Sequence, residues 1–94
     1  MLRIHIEPDP EKVILRLEGK LIVPWVDELA RAWMSLAGGQ PSPRPVRIDL
    51  QGVSFVDSRG QAMLAFLRHQ GCELVGSGTF ITALIEEINL APGN

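Results

Sequence analysis

The stretch Val46-Arg47-Ile48-Asp49-Leu50-Gln51-Gly52-Val53-Ser54-Phe55-Val56-Asp57-Ser58-Arg59-Gly60 changes its periodicity partway along, and that change decides the fold. Val46, Ile48 and Leu50 alternate with Arg47 and Asp49, the period-two signature of a strand, which runs on toward Phe55 and Val56 with a bend at Gly52. From Ser58 to Gln70 the apolar run Ala62 to Leu67 has good helix propensity, and Gly71 ends it. Cys72, Leu74 and Val75 then make a short strand. A strand, a helix and a second strand joined by short loops require a right-handed crossover, so the two strands lie parallel.

Upstream, Leu2, Ile4 and Ile6 alternate with Arg3, His5 and Glu7, and Val13, Leu15 and Leu17 alternate with Ile14, Arg16 and Glu18. Pro8-Asp9-Pro10-Glu11 between them reads as a turn, which predicts an antiparallel hairpin. Gly19 is expected to break the second strand, and a helix is expected to begin near Pro24, a residue suited to a first helical position. Val26, Leu29, Ala30, Trp33 and Ala37 form one apolar stripe, and Asp27 and Glu28 place negative charge near the positive end of that helix. Trp25 lies two helical turns before Trp33 and so falls on the edge of the same face. Gly38-Gly39 stops the helix, and Gln40-Pro41-Ser42-Pro43-Arg44-Pro45 is a stiff surface connector. Downstream of Gly76-Ser77-Gly78, which reads as a tight turn, Ile81, Leu84, Ile85 and Ile88 repeat the helical spacing. The fold expected is α/β: a mixed sheet of about four strands, a hairpin on one side and parallel strands on the other, with about three helices packed on it.

The chain has 94 residues, 46% hydrophobic and 21% charged, within the range of one soluble domain spanning 1–94. A domain of this size has little room for an enclosed ligand pocket, so function is expected on its surface. Nine basic and eleven acidic residues give a net charge of −2, and the cations are scattered, which argues against direct nucleic-acid binding. Cys72 is the one cysteine, so no intrachain disulfide forms and a reducing, cytoplasmic setting is expected. No run approaches eighteen apolar residues, so no membrane insertion is expected.

Chemistry concentrates where strand passes to helix, at Asp57 and Ser58. The first N–H groups of a helix are unpaired and partly positive, so one of these two side chains is expected to cap them. A phosphate on Ser58 would lie near the same donors, with Arg59 adjacent. His5, Asp57, Ser58 and His69 include the residue types of a hydrolase triad, but there is no Gly-x-Ser-x-Gly elbow, and an adjacent Asp-Ser pair does not make a relay of orienter and base. We therefore read the chain as non-enzymatic, with no catalytic residues, no cofactor and no metal site. Two distant histidines do not suit a metal.

The segment Ile48-Asp49-Leu50, followed by Gly52-Val53-Ser54-Phe55-Val56-Asp57-Ser58-Arg59-Gly60, resembles the signature of STAS domains, the anti-sigma factor antagonist family. Gly19-Lys20-Leu21 resembles that family's turn before the first helix, and Gly71 to Gly78 its last strand and loop. The resemblance implies a STAS-like fold and a regulatory domain that binds a protein partner through Asp57, Ser58, Arg59 and Gly60. It implies that Ser58 is the candidate phosphoacceptor and that the partner is an anti-sigma serine kinase. The short chain also resembles the compact STAS subunits that bind the ATPase of lipid-transport ABC complexes, the alternative partner.

Overall fold

A computed structural model describes residues 1–37 and 45–90. Along the chain run β1 (Leu2–Pro8), β2 (Val13–Leu21), α1 (Val26–Ala37), β3 (Val46–Val56), α2 (Ser58–His69), β4 (Glu73–Val75) and α3 (Thr79–Leu90). The sheet order is β1-β2-β3-β4. β1 and β2 are antiparallel, with His5 opposite Arg16, while β2 with β3 and β3 with β4 are parallel. This is the mixed sheet expected from the alternation patterns. Successive crossovers through α1 and α2 advance in one direction across the sheet, so both helices lie on the same face. α3 joins them through contacts with α2 and β3.

The core lies between that face and the helices. Leu15, Leu17, Leu21, Ile48 and Leu50 from the sheet meet Leu29, Leu64 and Leu67 from the helices, all fully buried. Each such side chain contributes about 1.5–3 kcal/mol by leaving water. Among the described residues the other sheet face is bare of helices and carries ion pairs instead: Arg16 to Glu7 at 2.9 Å and to Asp49 at 3.6 Å, and Arg47 to Glu73 at 2.8 Å. These pairs are partly exposed and worth about 0–1 kcal/mol each, so it is the apolar face that holds the fold.

Two boundaries differ from expectation. Gly19 does not break β2: it adopts φ +106°, remains opposite Leu2 on one side and Val53 on the other, and the strand continues to Leu21. Pairing on both edges overrides the local signal, and a Cβ at Gly19 would strike the Met1 carbonyl oxygen. The regular helix begins at Val26 and not at Pro24. Pro24 and Trp25 belong to a preceding turn in which the Val26 N–H donates to the Ile22 carbonyl at 3.1 Å and that of Asp27 to the Pro24 carbonyl at 3.2 Å. Trp25 is half-buried against the core and Trp33 is buried within it. The connector expected at Gln40–Pro45 and the Gly38-Gly39 stop fall almost wholly outside the described residues.

β3 is irregular next to Gly52, where a bend was expected. Register shifts lie between Arg16 and Glu18 and between Gly19 and Lys20 on β2, so β3 carries extra residues opposite both. At the first, Asp49 Oδ1 accepts the Gln51 N–H at 2.9 Å. At the second, the Ser54 hydroxyl donates to the Gly19 carbonyl at 3.3 Å. The second shift sets Phe55 opposite Lys20 and returns Val56 to a place opposite Leu21, which aims β3 into α2. At its far end α2 closes as Gly71 was expected to close it: the Gly71 N–H donates to the Arg68 carbonyl and the Cys72 N–H to that of Leu67, both at 3.0 Å, a Schellman arrangement.

Candidate functional site

The junction between β3 and α2 is built around the backbone and side chain of Asp57. Its N–H donates to the carbonyl of Leu21, the last residue of β2, at 3.2 Å, so the junction is fastened to the neighbouring strand. Its own carbonyl accepts the Gln61 N–H at 2.9 Å, the first turn of the helix. The residue is extended (φ −85°, ψ −178°), the conformation of an N-cap, and Oδ1 accepts the Gly60 N–H at 2.7 Å. Oδ2 accepts the Val23 N–H at 3.0 Å. One carboxylate thus caps α2 and holds the segment that leads from β2 into α1.

Those donors favour the ionised form. The Asp57 carboxyl is held below the ordinary carboxylate value, chiefly by the Gly60 N–H and then by the Val23 N–H; partial burial opposes the shift, and the Arg59 N–H and guanidinium add to it. The choice between Asp57 and Ser58 as cap is therefore resolved in favour of Asp57. Ser58, the first residue of α2, is exposed, and among the described residues its hydroxyl has no hydrogen-bond partner. Arg59 is exposed and makes no ion pair among the described residues.

Gly60, grouped with these three on sequence, is buried. A Cβ there would collide with the Leu21 carbonyl oxygen and sit 2.8 Å from Val56 Cγ1. Here the helix and strand backbones approach too closely for a side chain, and the buried Gly60 presents no side chain to a docking partner. The surface available at the helix mouth is formed by Ser58, Arg59 and the outer part of Asp57. Exposed apolar groups extend it in two directions. Val23, joined to Asp57 through its backbone, is 55% exposed, and Phe66, on the Ser58–Ala62–Phe66 face of α2, is 46% exposed. Phe66 is held edge-on against Trp33, with ring centroids 5.7 Å apart.

Neither apolar group was singled out from sequence. Phe66 sits inside an apolar run that reads as core, and Val23 is placed here by a contact spanning 34 residues. The other candidates lie elsewhere. His5 is on the helix-free sheet face, 3.8 Å from Glu18, and His69 is at the opposite end of α2, roughly 16 Å along its axis from Ser58. Ser58 is thus accompanied by a carboxylate and a guanidinium, without a histidine base. Among the described residues no group of three or more His, Cys, Asp or Glu is placed to hold a metal, and no helix is long and apolar enough to cross a membrane.

Comparisons with known proteins agree with this fold. The STAS domain family model matches residues 3–88. The anti-sigma factor antagonist SpoIIAA in its unphosphorylated form is similar in structure at a TM-score of 0.58 and 19% identity, over 95% of this chain and 100% of that one. An uncharacterised Shewanella loihica protein with a SpoIIAA-like fold is similar at 0.61 and 18% identity, over 98% and 81%. The crystal structure of Mglu is similar at 0.61 and 22% identity over 80% of this chain, which spans 19% of that protein's length. These identities show a shared fold. No curated protein matches the sequence.

Proposed function

The chain belongs to the STAS domain family, which it matches from residue 3 to residue 88, and from that membership we propose that it is a regulatory protein-interaction domain of the anti-sigma factor antagonist type. In this reading its partner is an anti-sigma serine kinase, the docking surface is the mouth of α2, and Ser58 is the residue the kinase phosphorylates. The observation that carries the proposal is the division of labour at that mouth. Asp57 takes the structural role of cap, and Ser58 next to it is exposed, its hydroxyl unengaged among the described residues. Modifying Ser58 therefore removes no bond that holds the helix.

The switch follows from charge. A phosphate brings about −1.5 to −2 charge, and here it stands beside a carboxylate whose ionised form is already stabilised. The Gly60 N–H, which would otherwise greet the phosphate, is occupied by Asp57 Oδ1. The added charge is therefore directed outward, into any interface formed over Ser58, Arg59 and Val23. Burying it there meets like-charge repulsion and desolvation, and a loss of about 1.4 kcal/mol already lowers affinity tenfold.

The test is incubation with anti-sigma kinases of the source genome and ATP, followed by intact-mass measurement. One phosphate on the wild type and none on Ser58→Ala is expected, together with at least about tenfold weaker kinase binding by Ser58→Asp. Absence of phosphate with every such kinase, accompanied by stable co-purification with a transporter ATPase, would overturn the proposal. So would a Ser58→Asp variant that binds as tightly as the wild type.

A further inference from the structure

The free edge of the sheet has a symmetry of its own. β1 is the outermost strand, and no described residue pairs with its far side. It runs seven residues, Leu2–Pro8, without a register shift against β2, so it lacks the bulge that commonly blunts an edge. Its backbone polarity is set by the Lys20 N–H, which donates to the Met1 carbonyl at 3.1 Å. In an antiparallel ladder hydrogen-bonded pairs alternate, so Met1, Arg3, His5 and Glu7 direct their backbone groups toward β2. Leu2, Ile4 and Ile6 direct theirs outward, unpaired.

We propose that this edge joins a second copy of the chain, β1 against β1 in antiparallel register about a twofold axis at His5, to form one continuous sheet through both subunits. The outward backbone groups allow registers centred on Ile4, His5 or Ile6. Only the His5 register overlaps all seven residues of the strand. It sets Ile4 opposite Ile6 of the other copy as hydrogen-bonded pairs, with Leu2 opposite Pro8, whose missing N–H falls at the end of the ladder.

Charge selects the same register. It places Arg3 opposite Glu7 of the second copy twice, once on each side of the axis, and opposite charges facing across strands are stabilising. Arg3 is exposed and makes no ion pair among the described residues. Glu7 holds Arg16 through Oε2 at 2.9 Å, and a carboxylate can accept from two guanidinium groups. On the helix side, Ile6 is 49% exposed although it shares the parity of buried Leu2, and the Ile4 of the second copy would cover it. The contact is isologous, the commonest symmetry of small assemblies.

The test is sedimentation equilibrium over concentrations on the order of 10 µM to 1 mM, the range in which a small interface associates. A monomer–dimer equilibrium is expected. Arg3→Glu alone and Glu7→Arg alone set like charges opposite each other, and each should weaken dimerisation about tenfold. Mixing the two single variants should restore it, because each copy then supplies what the other lacks. All these positions are on the surface, and circular dichroism verifies that the variants remain folded. A wild type that stays monomeric throughout would overturn the proposal, as would a dimer that Arg3→Glu leaves unchanged or single variants that do not recover on mixing.

Discussion

Val23 and Asp57 are 34 residues apart, and the N–H of the first donates to Oδ2 of the second at 3.0 Å. The other carboxylate oxygen is committed to the Gly60 N–H at 2.7 Å. A single side chain therefore sets where α2 starts and how the chain leaves β2, and Ser58 is the first residue of the helix that it caps.

Replacing Asp57 tests that coupling. Asp57→Ala removes the acceptor for both N–H groups and should lower Tm by an amount on the order of 5 °C. Asp57→Asn keeps one oxygen that serves the Gly60 N–H and should lie between the alanine variant and the wild type. The coupling is absent if thermal unfolding monitored by circular dichroism shows the two variants equal to wild type.

Gly60→Ala tests the close approach. The new Cβ would meet the Leu21 carbonyl oxygen and Val56 Cγ1, one a backbone atom and the other on a half-buried residue, so the helix must move away from the strand. Overpacking of this kind costs about 1–3 kcal/mol, measurable as a lower urea midpoint at unchanged slope. The movement also lengthens the Asp57 cap bond, so amide exchange at Gly60 should quicken as well. A variant as stable as wild type would mean that the approach is looser than the geometry here.

Acid should weaken the protein partly through Asp57. The folded-state pKa of this carboxyl is lowered from 3.8, chiefly by the Gly60 and Val23 N–H groups. A group whose pKa falls on folding stabilises the fold above its unfolded value, and that contribution is lost as pH drops through 3.8 toward the lower folded value. Urea unfolding at pH 6 and pH 3 should therefore show a smaller loss of stability for Asp57→Asn than for the wild type. Equal losses would remove Asp57 from the acid response.

Arg16 and Leu17 are neighbours on β2 that face opposite sides of the sheet. Arg16 bridges Glu7 and Asp49 with a half-exposed side chain, and Leu17 is fully buried. Arg16→Ala should cost about 0–1 kcal/mol and Leu17→Ala about 2–5 kcal/mol. Chemical denaturation of the pair separates a fold held by its apolar face from one held by the ionic ladder, and a reversed order would favour the ladder.

Much of this was legible in the sequence wherever one face of an element is buried and the other wet. The alternation in Val46–Leu50 and the stripe Val26, Leu29, Trp33 are direct prints of a two-layer packing. The misread points are those where distant backbone decides. Gly19 continues a strand because Leu2 and Val53 hold it from both sides, and Gly60 is confined by a carbonyl that belongs to β2. At the helix mouth, residue types narrowed the cap to Asp57 or Ser58. The Val23 and Gly60 N–H groups decided between them, and the first of these arrives from across the fold. Phe55 was placed on β3, but its facing was not legible for a related reason: its position opposite Lys20 depends on a bulge, which shifts facing without leaving a periodic signal.

Cys72 offers a reporter of how tightly the helical layer closes over the sheet. Its side chain is buried, 3% exposed, directly after the Schellman turn that ends α2. Burial pushes its thiol up from the ordinary value, with an opposing contribution from hydrogen bonding to Trp33. Both the scarcity of thiolate and the lack of access slow attack on a disulfide reagent, so reaction should wait for local or global opening of the α2–β4 connection. Labelling with Ellman's reagent at pH 8 should therefore run at least about a hundredfold more slowly in the native protein than in urea. Leu67→Ala, which removes a fully buried neighbour whose carbonyl anchors the Cys72 N–H, should accelerate native labelling while the unfolded rate stays the same. A native rate equal to the unfolded one would place the thiol at the surface and contradict the packing of β4 against α2.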